Sequence, residues 1–119
     1  MDRSPSILSI SYDEPLLQTR ALILKAAGFD VTSALGINEA SRHCQNVFDL
    51  IIVGHSIPKA DRQSLLDLVR NRDHTRILLL RRPGESAVEG IEYSIEPWEG
   101  PEALVSMVKK ALERQSPKP

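Results

Sequence analysis

The stretch FDLIIVGHSIP (residues 48–58) decides the fold. Leu50, Ile51, Ile52 and Val53 form an apolar run with no polar residue between them. A strand that is apolar at every position is typical of a parallel sheet covered on both faces, because both sides of the strand are then buried. We therefore predict a central buried strand over residues 49–54.

Further strands and helices are predicted on both sides of this central strand. Asp13, Glu14 and Pro15 favour a helix start, since acids suit the positive end of the helix dipole and proline is tolerated in the first turn. Gly28 is a suitable helix end. After Pro58, Asp61 can cap another helix. The other predicted elements are strands over residues 6–10, 29–34, 76–80 and 91–95, a weaker helix over residues 36–46, and a last helix that opens at Gly100.

The order of these elements is strand then helix, repeated, which implies right-handed crossovers and a parallel sheet covered on both faces. Sites in such sheets form at the carboxyl ends of the strands. The loops after Ile10, Val53, Leu80 and Ile95 are therefore the places where functional residues are expected.

Length and composition favour one ordinary globular domain. The chain has 119 residues, of which 41% are hydrophobic and 26% are charged. We expect a single domain with its core over about residues 6–115 and a short disordered C-terminal tail. A formal net charge of -1 gives no basic field for nucleic acid or an anionic membrane, so neither partner is expected. A single cysteine and no signal-peptide pattern favour a cytoplasmic protein.

Three strand ends carry motifs that resemble receiver domains of bacterial response regulators. Residues 7–15 (ILSISYDEP) are similar to the first strand, which ends in an acidic pair followed by Glu and Pro. Residues 48–58 resemble the third strand, which carries the acceptor aspartate, and residues 96–98 (EPW) resemble a Lys-Pro-aromatic turn. The resemblance implies a flavodoxin-like, doubly wound α/β fold with five parallel strands in the order 2-1-3-4-5. It also implies a role in two-component signalling.

The phosphorylation chemistry of that family is not matched at the corresponding positions. The resemblance places Tyr12 at the first acid, Asp13 at the second, Gly54 at the acceptor aspartate, Arg81 at the hydroxyl residue and Glu96 at the lysine. Glycine offers no nucleophile, and a lone aspartate is a poor Mg²⁺ site. We therefore expect a degenerate site with no catalytic residue, no metal and no cofactor.

The segment between the last two predicted strands is short for the family. Residues 81–96 contain Pro83 and Gly84, which interrupt helical structure, and residues 86–90 can hold little more than one turn. The family's fourth helix is therefore predicted to be shortened or absent.

Three further residues are candidates for a replacement switch or an interaction site. Arg81 is predicted to lie between Asp13 and Glu96 and to satisfy their charges where a metal and a phosphoryl group would otherwise bind. Tyr93 stands where the family often has a switch aromatic, and we expect its ring to stay outward. Trp98 is either a binding anchor or a packed loop residue.

Histidine, cysteine and arginine elsewhere in the chain give weaker signals. His43, Cys44, His55 and His74 lack the spacing of metal ligands, and Cys44 is expected to pack within a helix. The arginines of residues 70–82 lack interleaved aromatics and are expected to be solvated.

The preferred functional hypothesis is a non-enzymatic signalling module that works without phosphorylation, through contact with a protein such as a histidine kinase or an output protein. A homodimer through Ser106 and Met107, expected on the outer face of the last helix, is left open. Two alternatives are also open. One is an active receiver with Asp13 or Ser56 as a displaced acceptor, and the other is a small-ligand-binding flavodoxin-like domain.

Overall fold

A computed structural model describes residues 4–70, 76–81, 91, 93–95 and 100–113, and these residues contain five strands and four helices. The strands are β1 (Ser6–Ser11), β2 (Asp30–Leu35), β3 (Leu50–Val53), β4 (Arg76–Leu80) and β5 (Tyr93–Ile95). The helices are α1 (Glu14–Ala26), α2 (Gly36–His43), α3 (Lys59–Arg70) and α4 (Gly100–Glu113). No helix within the described residues is long and apolar enough to cross a membrane.

The strands form one parallel sheet in the order β2-β1-β3-β4-β5, with helices on both faces. This confirms the predicted flavodoxin-like architecture and strand order. Residues 82–90, where a shortened or missing helix was predicted, lie outside the described residues, and so does the predicted tail at residues 114–119.

Two apolar clusters cover the two faces of the sheet. The α2/α3 face contains Ile10 and Val53 from the strands, Cys44, which follows α2, and Leu65 from α3. Cys44 is 3% exposed within this cluster, which confirms its predicted packing role. The α1/α4 face is built from residues of β1, β3, β4 and β5 together with Leu24 of α1 and three residues of α4: Leu104, Val108 and Ala111.

The first helix begins and ends where its sequence predicts. Asp13 is the N-cap, and its Oδ1 accepts a hydrogen bond from the Leu16 N–H at 3.1 Å. Pro15 lies in the first turn, where its missing N–H costs nothing. Gly28 follows the helix with φ +99°, a conformation that favours glycine because it has no Cβ.

Two local predictions were wrong. α3 begins at Lys59, so Asp61 lies in its first turn and does not precede the helix as a cap. Met107 is half-buried and packs against the α1/α4 cluster, although Ser106 beside it is exposed. The covered stripe of α4 therefore includes Met107 in addition to the buried Leu104, Val108 and Ala111.

Candidate functional site at the carboxyl edge of the sheet

The strand register brings the predicted site positions to one edge of the sheet. Ile10 pairs with Val53, and Val53 pairs with Leu79. Because the strands are parallel, the residues that follow them meet at the same edge. This edge therefore holds Tyr12 after β1, Gly54 after β3 and Arg81 after β4.

Gly54 lies in a space that is closed to side chains. Its N–H donates to the Ile10 carbonyl oxygen at 2.9 Å. A Cβ atom at this position would lie 2.8 Å from that same oxygen and 3.0 Å from Nη1 of Arg20. Contacts this short require a neighbour to move, so the chain accommodates glycine here because of how closely the backbone and Arg20 approach.

Arg20 of α1 is a functional candidate that sequence reasoning missed. Its side chain is 8% exposed, and its Nη1 atom has no hydrogen-bond partner among the described residues. Burial lowers the pKa of the Arg20 guanidinium, and the negative charge of Asp13 acts in the opposite direction. The missed signal was positional: Arg20 follows Leu17 by three residues and precedes Leu24 by four, so it stands on the buried stripe of the helix.

Asp13 is held by local hydrogen bonds at the start of α1. Besides the cap to Leu16, its N–H donates to Ser11 Oγ at 3.0 Å. The predicted cluster of Arg81 with Asp13 and Glu96 stays a prediction, because Glu96 lies outside the described residues. The Arg81 N–H donates to the Ile95 carbonyl at 2.9 Å, which joins the ends of β4 and β5.

Tyr12 connects the loop after β1 to the segment after β3. Its hydroxyl donates to Asp61 Oδ2 at 2.8 Å, and its N–H donates to Ser56 Oγ at 3.0 Å. Ser56 Oγ also lies 3.2 Å from Ser11 Oγ. Burial and the hydrogen bond to Asp61 raise the pKa of the Tyr12 hydroxyl. Tyr12 therefore has a structural role at this edge of the sheet.

The expectation for Tyr93 was wrong. Its side chain is 6% exposed and belongs to the α1/α4 cluster, together with Ile95 and Leu104. Residues two apart in a strand share a face, so Tyr93 and Ile95 both lie on the face that α4 covers. The ring is therefore a core element in this structure and is not presented to solvent. Trp98, the other predicted interaction residue, lies outside the described residues.

Two of the three histidines lie within the described residues, in different parts of the fold. His55 is half-buried after Gly54 and lines a cavity between α1 and α4, whereas His43 ends α2. His74 lies outside the described residues. Within the described part of the chain, no group of three or more His, Cys, Asp or Glu side chains could hold a metal ion.

Several solved structures that are similar to this chain are response regulators or their receiver domains. A CheY-like response regulator receiver domain protein from Methanospirillum hungatei JF-1 matches with a TM-score of 0.82 and 21% identity, covering 95% of this chain and 97% of that one. A putative response regulator from Chloroflexus aurantiacus J-10-fl matches with a TM-score of 0.80 and 25% identity, covering 94% and 100%. A Francisella response regulator receiver domain, 1452, matches with a TM-score of 0.79 and 21% identity, covering 95% and 100%.

No protein-family model and no curated protein matches the chain. The likeness therefore concerns the fold, and the structural neighbours are CheY-like receiver domains.

Proposed function

We propose that this chain is a receiver-like signalling domain that accepts no phosphoryl group and acts through contact with another protein. The observation that carries the proposal is the pair formed by Gly54 and Arg20. The end of β3 is where the resemblance places the acceptor aspartate, and here a guanidinium nitrogen lies 3.0 Å from the position of a Cβ atom.

The same pair argues against a magnesium site at this edge. Mg²⁺ prefers several oxygen ligands, usually carboxylates, in octahedral geometry. Here Gly54 supplies none, and the buried guanidinium of Arg20 adds a positive charge that repels a cation. Asp13 uses Oδ1 to cap α1. The residues therefore do not fit the metal on which phosphoryl transfer in the family depends.

A displaced acceptor is disfavoured by the hydrogen bonds of the two candidates. Ser56 Oγ accepts from the Tyr12 N–H, and Asp13 accepts from the Leu16 N–H. Phosphorylation of Ser56 Oγ would disturb the contact that holds the Tyr12 N–H. Phosphorylation of Asp13 at Oδ2 would weaken Oδ1 as the acceptor that caps α1, because the negative charge of the carboxylate would no longer be shared with it.

The direct test is incubation of the protein with acetyl phosphate and Mg²⁺, followed by intact mass measurement at short times. We expect no gain of a phosphoryl group, while an active receiver domain in the same solution gains one and shows that the donor is competent. A phosphorylated form of this chain would overturn the proposal, and loss of that form in Asp13→Asn or Ser56→Ala would identify the displaced acceptor.

The partner surface is proposed on the outer side of α4. Glu102, Ser106 and Lys109 are exposed there and, with Ile23 and Val105, line a shallow groove between α1 and α4. A mostly apolar groove that also carries side chains of both charge signs suits a protein partner better than nucleic acid.

Affinity capture from cells that express the protein tests this surface. We expect Lys109→Glu to lose a specific partner, such as a kinase or an output protein, that the wild type and Lys59→Glu retain. Lys59 is an equally exposed lysine at the start of α3, which makes it a matched control. Equal capture by all three proteins would exclude this face, and sedimentation of the wild type would show whether the partner is a second copy.

A further inference from the structure

A cavity of about 190 Å³ lies between α1 and α4 at the carboxyl ends of β4 and β5. Most of its wall is aliphatic, from Leu16, Ile23, Leu80, Ile95 and Leu104. A cavity of about 150 Å³ lined by such side chains binds benzene, so this one has room for a compact hydrocarbon group of slightly larger size.

Arg20 gives this apolar cavity one buried positive charge. The side chain lines the cavity and is 8% exposed, and its Nη1 atom lacks a hydrogen-bond partner within the described residues. A buried polar atom without a partner is rare in native proteins, because its desolvation is not compensated. An anion in the cavity would lie beside this side chain and offset its buried positive charge.

The start of α4 adds a second positive element on the same wall. Gly100 and Pro101 line the cavity and form the first residues of this helix. The first N–H groups of a helix have no partner within the helix and carry the positive end of its dipole. Anions bind at such helix ends. Arg20 and the helix start therefore favour the same charge of ligand.

We propose that this cavity binds a small organic monocarboxylate with a compact apolar body. The carboxylate pairs with the Arg20 guanidinium, whose planar shape matches two carboxylate oxygens. The apolar body lies among the leucine and isoleucine side chains. This binding goes beyond the proposed signalling function and would give that function a chemical input in place of phosphorylation.

Calorimetric titration with benzoate and benzamide tests the proposal. The two probes have nearly the same shape and differ in charge. We expect benzoate to bind about tenfold or more tightly than benzamide, the difference that a charged hydrogen bond provides. Inorganic phosphate is the third probe and should bind more weakly than benzoate, because it has no apolar body.

Two variants connect binding to the buried charge. Arg20→Met should bind benzoate no better than benzamide, whereas Arg42→Met should behave like the wild type, since Arg42 is an exposed arginine on α2. Arg20→Lys keeps the charge and should retain part of the preference for benzoate over benzamide. It allows the test to be made if Arg20→Met does not fold.

Several results would overturn the proposal. These are no benzoate binding to the folded wild type at millimolar concentration, equal affinity for benzoate and benzamide, and undiminished benzoate preference in Arg20→Met. Phosphate binding as tight as benzoate binding would also reject the monocarboxylate class. None of these results depends on whether acetyl phosphate labels the chain, so the two proposals fail separately.

Discussion

The two sides of the carboxyl edge differ in whether their polar side chains have hydrogen-bond partners. On the α2/α3 side, Tyr12 donates to Asp61 at 2.8 Å and to Ser56 at 3.0 Å. On the α1/α4 side, Arg20 lines a cavity, and its Nη1 atom has no partner among the described residues. The hydrogen bonds of the first side stabilise the loops, while the second side holds a buried guanidinium with one nitrogen that has no partner in the described part of the chain. A buried polar group that lacks a partner in a folded protein often marks a functional position.

The largest expected effect comes from Gly54→Ala, which would add an atom at the boundary between the two sides. The new Cβ would lie 2.8 Å from the Ile10 carbonyl oxygen, and backbone cannot move as easily as a side-chain end. We expect the free energy of unfolding to fall by about 1–3 kcal/mol, as overpacking usually costs. Urea unfolding measures it.

The double variant Gly54→Ala with Arg20→Met is the control for this change. It removes the 3.0 Å contact with Nη1 but keeps the contact with the Ile10 oxygen. Stability should therefore recover by more than the gain that Arg20→Met gives on its own. Unchanged stability in Gly54→Ala would mean that the edge has room for an acceptor side chain, and the closed-site argument would fail.

The second prediction concerns only the side that holds Arg20. Arg20→Met should raise the free energy of unfolding by about 1–2 kcal/mol, because an apolar side chain of similar length removes the desolvation penalty of a buried guanidinium whose Nη1 atom lacks a hydrogen-bond partner within the described residues. Removal of a charged residue seldom raises the free energy of unfolding. An increase would therefore indicate that the buried guanidinium destabilises the folded protein.

Arg42→Met provides the comparison for this substitution, since Arg42 is exposed. Its free energy of unfolding should stay within about 0.5 kcal/mol of the wild type. Clear destabilisation by Arg20→Met would mean that the guanidinium is compensated in the folded protein, and the comparison between the two sides would lose its basis.

The sheet could be predicted from the sequence because its signal is repeated. Most apolar runs, such as residues 50–53, are followed by a turn and a helical pattern, and these local signals agree with one another. The site could be predicted only in part. Asp13 and Gly54 were placed at the correct edge, because strand ends are set by the sheet.

The rest of the site depends on contacts between distant segments. That Tyr12 bonds to Asp61, or that Arg20 approaches Gly54, follows from how α1 and α3 pack and not from a local pattern. The sequence shows that Arg20 lies on the buried stripe of α1, but it does not show that Arg20 approaches Gly54. The burial of Tyr93 was missed for the same reason, since it depends on α4.

The third prediction separates the two roles that Asp13 has at this edge. Asp13→Ala should cost about 1 kcal/mol, because the helix loses its N-cap. Asp13→Asn should cost much less, because asparagine caps as well as aspartate does, although it removes the charge that acts on Arg20. Thermal or urea unfolding of both variants gives the comparison. Equal losses in the two would show that the charge of Asp13 matters more than its cap.

The smallest effect concerns the hydrogen-bonded side and depends on pH. Tyr12→Phe should lower the free energy of unfolding by about 0.5–1 kcal/mol at pH 8, where the hydroxyl is protonated in both folded and unfolded chains. The pKa of Tyr12 is raised in the folded protein, so its contribution is complete below the ordinary tyrosine pKa of about 10 and is lost as the pH rises further.

The difference in stability between wild type and Tyr12→Phe should therefore shrink as the pH rises above about 10, the ordinary tyrosine value. Asp61→Asn is the matched control: it keeps an acceptor for the Tyr12 hydroxyl and removes the negative charge that helps to raise the pKa, so its pH dependence should be weaker. A difference that stays constant with pH would mean that the Tyr12 hydroxyl ionises as easily in the fold as in the unfolded chain. The hydrogen bond of Tyr12 would then contribute no more to stability than does Nη1 of Arg20, which lacks a partner among the described residues on the other side.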